Sequence, residues 1–290
     1  MCDDALVTKK KSFTNNHFDS LTHKMMNLMD AVLKKVNLDL EILTYGILAT
    51  GKNDGIMEFV SPSMPVSAVL AKHKGIQNYL REHYPDKGFC LSYFMPSLCH
   101  LDKFVHLKIL PGATGTYGIK PKVLETFIKS CAGSCVLTYI LGIGDRHLDN
   151  LMMTPNGHLF HIDFGFIFGR DPKPLPPPFR LIRQFIDAMG GEESEHYQRF
   201  KSYCFQAYNL LRSSASLILN LLSLMADAGI PDLSVHSNPD IVLAKVEEKF
   251  RLDLTDEEAE AFFGGLINES VNAIAPRLME IAHQISVARR

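Results

Sequence analysis

Tryptophan is absent from this 290-residue chain, and cysteine is sparse, at six residues. So few cysteines in a chain of this length exclude a disulfide-stapled fold. None of them forms a CxxC pair or joins histidines at zinc-site spacing. Cys131 and Cys135, four apart in an apolar stretch, share one helix face and are expected to pack in the core. This usage suits a reducing, cytosolic-side compartment. Net charge is also nearly absent, at -2, so nothing draws the whole molecule to nucleic acid or to an acidic membrane. Any anion site must be local, and no nucleic-acid partner is expected. The longest greasy run, Ala215 to Ala226, is interrupted by Asn220 and Ser223 and is too short to span a bilayer, so it reads as a buried helix. The opening MCDDALVTKKK lacks the apolar stretch of a signal peptide, and none is expected. What is present, 46% hydrophobic and 21% charged residues, is ordinary for a soluble globular protein with room for one large domain or two lobes.

Apolar residues at Leu21, Met25, Met26, Leu28, Met29, Val32, Leu33 and Val36 have helical spacing. Two β-prone runs follow, Leu43 to Ala49 and Ile56 to Val60, and Gly51-Lys52-Asn53-Asp54-Gly55 between them predicts a hairpin. A proline-bearing link, Ser61 to Pro65, then leads into helical segments up to about Tyr84, and the lobe boundary is placed at this change. Residues 89–117 are apolar without a clean period. Val123 to Leu141 reads as a buried helix, and Thr255-Asp256-Glu257-Glu258 is a capping box that opens another.

The informative stretch is Gly142 to Gly165, GIGDRHLDNLMMTPNGHLFHIDFG. Leu151–Thr154 and His158–Ile162 are short β-prone runs joined by Pro155-Asn156-Gly157, which predicts a second hairpin. Asn150 precedes its first strand and Asp163 follows its second, so antiparallel pairing sets them side by side, with roughly 5 Å between paired residues. An amide oxygen and a carboxylate brought together suit a hard cation such as Mg²⁺ (or Mn²⁺). Asp145 lies five residues before Asn150 on the loop that feeds the hairpin. Any one of these residues alone reads as a turn or helix cap. Together, in this order, they match an acid facing a substrate hydroxyl and two metal-holding residues that bridge ATP phosphates.

Protein kinases write this loop His-Arg-Asp, whereas here it is Asp145-Arg146-His147, as in the phosphatidylinositol 3-/4-kinase superfamily. The flanks SCAGSCVLTYILGIGDRHLDNLMMT and LFHIDFGFIFGRDPKPLPPPFRL, with KFRLDLTDEEAEAFFGGLINESV further on, resemble class III phosphatidylinositol 3-kinase. That resemblance runs from about Leu21 to about Val271, apart from 89–117. It implies a bilobal, protein-kinase-like α+β fold, with an incomplete small β-containing N-lobe (residues 1–57) and a large, mainly helical C-lobe (residues 58–290). It also implies ATP and Mg²⁺ (or Mn²⁺) as cofactors and phosphorylation of the 3-hydroxyl of phosphatidylinositol. A regulatory subunit, a cytoplasmic location, and peripheral attachment to endosomal or autophagic membranes are expected on the same ground.

Carried over by position, Asp145 and His147 resemble the catalytic pair, and either could take the hydroxyl proton. Asn150 and Asp163 resemble the metal ligands. Met152 and Ile162, on one side of the hairpin, resemble residues that line the adenine pocket, and Glu58, Phe59 and Val60 resemble the adenine-binding hinge. Gly165 to Arg183 corresponds to the segment that reads the lipid head group, with Arg170, Lys173 and Arg180 as its phosphate-holding cations. Its sparse charge favours phosphatidylinositol without further phosphates. Its prolines, Pro172, Pro174, Pro176, Pro177 and Pro178, are expected to stiffen it into an extended track, an SH3-type PxxP ligand being the rival reading. Matching the small lobe places Lys11 at the ATP-phosphate lysine and Asp19 at its acidic partner. Lys9-Lys10-Lys11 is otherwise a solvated basic end, SFTNNHF departs from the family, and no Gly-rich phosphate loop precedes residue 11. Leu278, Ile281 and Ile285 keep some amphipathic character for membrane docking, although Pro276 interrupts it. An inactive fragment serving as an interaction module, and a related protein serine/threonine kinase, stand as alternatives.

Overall fold

A short strand, β1 (Lys11–Ser12), leads to helix α1 (Asn16–Lys35) in the computed structural model, which describes residues 11–12, 16–50, 54–86, 116–227 and 239–273. The expectations for Lys9 and Lys10, for most of 89–117 and for the tail from Pro276 onward lie outside these residues, as does the side chain of Lys11. Helix α1 follows its sequence spacing, with Leu21, Met25, Met29 and Leu33 forming one face that is at most 1% exposed. Asp19 in its first turn and Lys34 and Lys35 in its last suit the helix dipole.

Strands β2 (Ile47–Ala49) and β3 (Asp54–Met57) form the first hairpin, with Ile47 opposite Met57, and β1 adds to it through Lys11 opposite Gly55. Both strands are shorter than the β-prone runs. Beyond Met57 the Glu58 N–H still donates to the Gly46 carbonyl at 2.8 Å. The return bond from the Gly46 N–H goes to the Glu58 carboxylate at 2.7 Å, and the ladder ends there.

The second sheet has the order β4 (Met64–Pro65), β5 (Leu151–Met153), β6 (Leu159–His161). The predicted hairpin is present, with Leu151 opposite His161. Between β4 and β5 come α2 (Val66–His73), α3 (Ile76–His83), a 3₁₀ turn at Thr116–Gly118, and the central helix α4 (Pro121–Ile140). Helix α4 begins with proline, where a missing N–H costs nothing. It is long and apolar enough to cross a bilayer, yet 83% of that window is buried inside the fold, as befits a core helix. Cys131 and Cys135 lie in that core as free thiols.

Helices α5 (Arg183–Ala188), α6 (Glu195–Ser213), α7 (Ala215–Asp227), α8 (Pro239–Phe250) and α9 (Asp256–Asn272) complete the helical part. Helix α6 packs on both α4 and α9. The capping box of α9 is formed in both directions between Thr255 and Glu258. Helix α7 is not buried all round as its composition suggested. Ile218 and Leu222 are inside, but Leu217 and Leu224 are 45% and 63% exposed, because only one face meets neighbouring helices.

Candidate functional site

The loop from Leu141 to Asn150, between α4 and β5, lies against the segment that follows β6. Three backbone bonds join them: Gly144 N–H to Phe166 C=O at 2.8 Å, Phe168 N–H to Leu141 C=O at 2.9 Å, and Gly169 N–H to Gly142 C=O at 2.8 Å. This seam holds Asp145 and Asp163 in the left-handed region, at φ 51° and 61°. Such backbone costs free energy and persists only where the surroundings over-determine it.

Asn150 and Asp163 share the open end of the hairpin, where the Ile162 N–H donates to the Asn150 carbonyl at 3.1 Å. The Asn150 side-chain amide donates to the Asp145 carbonyl at 3.1 Å, which turns its Oδ1 the other way. The Asp163 carboxylate is on an exposed residue and meets the Gly165 N–H at 3.4 Å. Two oxygen donors are too few for a self-sufficient cage, but they suit a Mg²⁺ that also takes phosphate oxygens. Among the described residues no group of three His, Cys, Asp or Glu forms a metal cluster.

Arg146, to which the sequence reading assigned no role, is the buried tie of the site. Its guanidinium donates to the Gly144 carbonyl at 2.7 Å, to the Ile162 carbonyl at 2.9 Å, and to the Asp163 carbonyl. Its charge also lies 5.6 Å from the centre of the Phe164 ring. Burial lowers its pKa to about 10, so it stays charged at neutral pH. The only sequence signal for it was a cation inside an apolar-flanked loop.

Asp145 is gripped from the proline-bearing segment. Its N–H donates to Asp171 Oδ2 at 2.8 Å, and Lys173 Nζ pairs with its Oδ1 at 3.0 Å. The other oxygen, Oδ2, faces His147 Nε2 at 3.9 Å. Burial lowers the pKa of His147 against the pull of Asp145, which favours a neutral imidazole. The segment is bent rather than extended. Asp171 Oδ1 accepts the Lys173 N–H at 2.8 Å, and Leu175 takes φ 51° and is 89% exposed. A carboxylate that folds the chain back overrides the proline preference for extension.

A cavity of about 630 Å³ opens beside this loop, lined by His147, Asp149, Lys173, Pro177 and Arg180, with Lys74 from the end of α2. Of the three cations expected to hold a head group, Lys173 and Arg180 are on its wall. Arg170 is exposed on a turn away from it, its N–H bonded to the Ile167 carbonyl at 3.2 Å. Lys74 is a wall cation that sequence reasoning missed, because it lies some seventy residues from the catalytic loop.

Met152 and Ile162 share one face of the hairpin with Phe160, as the register requires. In the expected hinge, Glu58 is an exposed residue whose N–H and carboxylate are both engaged by Gly46, so its N–H is not on offer to a nucleotide. Phe59 is exposed, and the Val60 carbonyl accepts the Ser63 hydroxyl at 2.6 Å. Lys11 is described only as the backbone partner of Gly55. Asp19 is buried, and its Oδ1 accepts the Phe164 N–H at 2.7 Å, while burial raises its pKa to about 6.

Residues 14–235 match the sequence profile described as phosphatidylinositol 3- and 4-kinase. The chain is 48% identical over 266 residues to the phosphatidylinositol 3-kinase, root isoform, of Glycine max, covering 92% of this chain and 29% of that one. It is equally similar to the phosphatidylinositol 3-kinase VPS34 of Arabidopsis thaliana, at 48% over 266 residues with the same coverage. The Saccharomyces cerevisiae phosphatidylinositol 3-kinase VPS34 is 44% identical over 268 residues, which is 92% of this chain and 27% of that protein. The chain thus spans less than a third of the length of these relatives.

Proposed function

The chain belongs to the phosphatidylinositol 3- and 4-kinase family, and from that we propose that it is the catalytic region of a lipid kinase that phosphorylates the 3-hydroxyl of phosphatidylinositol with ATP. The fold is kinase-like and α+β, and its division into a small lobe, residues 1–57, and a large one, residues 58–290, is part of the same proposal. The observation that carries the proposal is the seam joining the Leu141–Asn150 loop to the segment that follows Asp163, with a cation-lined cavity opening beside it.

Asn150 Oδ1 and the Asp163 carboxylate would hold Mg²⁺ (or Mn²⁺). Such a cation, when bound, neutralises charge on the ATP phosphates. His147 Nε2 faces Asp145, and its depressed pKa keeps it able to accept a proton at neutral pH. In the transfer, the inositol oxygen forms a bond to the γ-phosphorus, the bond to the ADP oxygen breaks, and the hydroxyl proton goes to His147 Nε2. Asp145, steadied by Lys173, stabilises the imidazolium that results.

Lys173, Arg180 and Lys74 on the cavity wall would hold the lipid phosphate. Met152, Ile162 and the Phe59–Val60 backbone would receive adenine, and Lys11 and Asp19 lie on the small-lobe side. A regulatory subunit, and attachment to endosomal or autophagic membranes from the cytoplasmic side, are part of the same proposal and rest on family likeness.

The test is incubation of the purified chain with labelled ATP and phosphatidylinositol vesicles. Phosphatidylinositol 3-phosphate is expected, and Asp163→Ala should reduce it to background. Product on a protein substrate alone, or unchanged turnover in Asp163→Ala, would overturn the reading.

A further inference from the structure

His147 stands between two carboxylates, and only one of them belongs to the machinery described so far. Its Nε2 faces Asp145 Oδ2 at 3.9 Å. Its Nδ1 is fully buried with no hydrogen-bond partner inside normal reach. The acceptor facing that nitrogen is Asp149 Oδ2, at 3.8 Å. Asp149 is itself anchored, because its Oδ1 accepts the hydroxyl hydrogen of Ser67, the first residues of α2 being brought there by the bond from the Ser67 N–H to the Leu148 carbonyl at 3.3 Å. Asp149 and Ser67 both line the cavity.

A neutral imidazole carries its proton on one nitrogen, and the partner of that nitrogen decides which. A buried N–H is stabilised by a facing carboxylate, whereas a buried bare nitrogen lone pair turned toward one is repelled; opposite Nε2 that repulsion is weaker, because the charge of Asp145 is paired with Lys173 at 3.0 Å. We propose that Asp149, held by Ser67, is a positioning residue that keeps the His147 proton on Nδ1 and so presents Nε2 bare to the substrate hydroxyl. The 3.8 Å separation closes by a small rotation of the ring, and catalytic hydrogen bonds tighten in this way when substrate arrives. The inference rests on the reading of His147 as proton acceptor. It adds what sets the tautomer, and it accounts for the contact between α2 and the catalytic loop.

The tautomer is read directly from ring-nitrogen shifts of the ¹⁵N-histidine-labelled full chain at a single pH near 8, with His147→Gln identifying the signal. The wild type should show a protonated Nδ1 and a bare Nε2. In Asp149→Ala the proton should move to Nε2 or be shared between the two sites. Ser67→Ala should produce the same change in smaller measure. Lipid turnover should fall roughly 10-fold in Asp149→Ala with KM for ATP unchanged, less than the ~10²–10⁴ of a lost general base. A protonated Nε2 in the wild type, which needs no variant to observe, overturns the inference, as does an unchanged tautomer in folded Asp149→Ala. Full activity in His147→Ala would instead sink the assignment of His147 as base, whatever the tautomer.

Discussion

The amide of Phe164 donates a 2.7 Å hydrogen bond to the carboxylate of Asp19, a residue 145 positions earlier in the chain. The contact ties α1 to the residue next to Asp163, so the position of the helix and that of Asp163 are mechanically coupled. Family likeness places Asp19 as an ionic partner of Lys11, and the hydrogen bond offers it a second task. Asn keeps an acceptor oxygen without charge, and Leu keeps neither. If the Phe164 contact dominates, Asp19→Asn should retain most of the turnover, within about 3-fold, while Asp19→Leu loses more than about 10-fold. Equal losses in both variants would assign the effect to charge instead. Steady-state kinetics of the pair decides it.

His23, one turn further along α1, is 5% exposed and packs edge-on against Tyr45 at 4.0 Å and Phe164 at 5.2 Å. Neither ring nitrogen has a partner, and burial lowers its pKa from 6.5 to about 4. Between those values the unfolded chain binds the proton and the folded one does not. The contribution is therefore complete above pH 6.5 and is lost as pH falls toward 4. From pH 7 to pH 5 the loss amounts to about 2 kcal/mol. His23→Leu, similar in size and without nitrogens to satisfy, should remove that part of the slope. Urea unfolding of both proteins at the two pH values measures it, and parallel slopes would refute the assignment.

Arg146 satisfies the carbonyls of Gly144, Ile162 and Asp163 from a buried position. Lysine cannot reproduce a planar fork that reaches several acceptors. Arg146→Lys should lower stability by about 2–4 kcal/mol and turnover more than 10-fold, since buried carbonyls are left without donors. A variant with wild-type midpoint in denaturant would show that the fork is dispensable.

Gly144 is one of the points where the two halves of the site meet. A Cβ there would collide with the Arg170 carbonyl and sit 2.9 Å from Asp171 Oδ2, the acceptor of the Asp145 N–H. Gly144→Ala should push the proline-bearing segment away and cut turnover by about 10-fold or more, with only about 1–3 kcal/mol of lost stability, the usual cost of overpacking. Circular dichroism and lipid kinase assays separate the two effects.

Thr255 and Glu258 cap α9 reciprocally, far from the cavity. Thr255→Ala should cost about 1 kcal/mol of stability, read from the unfolding midpoint, and leave turnover as it was.

Much of this arrangement was legible without coordinates, where the cause is local. Periodicity at Leu21, Met25, Met29 and Leu33 sufficed for α1, and Pro155-Asn156-Gly157 for the hairpin that sets Asn150 and Asp163 at one end. The face shared by Met152 and Ile162 follows from the two-residue repeat of a strand. What composition could not foresee is where single polar groups end up. Pro-rich sequence around Lys173 argued for an extended track, yet Asp171 bends it back and Lys173 meets Asp145. Nothing near Arg146 announces three carbonyl acceptors, and nothing near Asp19 announces Phe164.

The order of chemical groups along the chain, helices such as α1 and α4, and the pairing of the hairpin were therefore determined by sequence alone, since each depends on residues within a few positions of one another. Tertiary structure alone decided which carboxylate meets which donor. Those meetings join segments far apart in sequence, and a buried polar group takes whichever partner the packed core brings within about 3 Å.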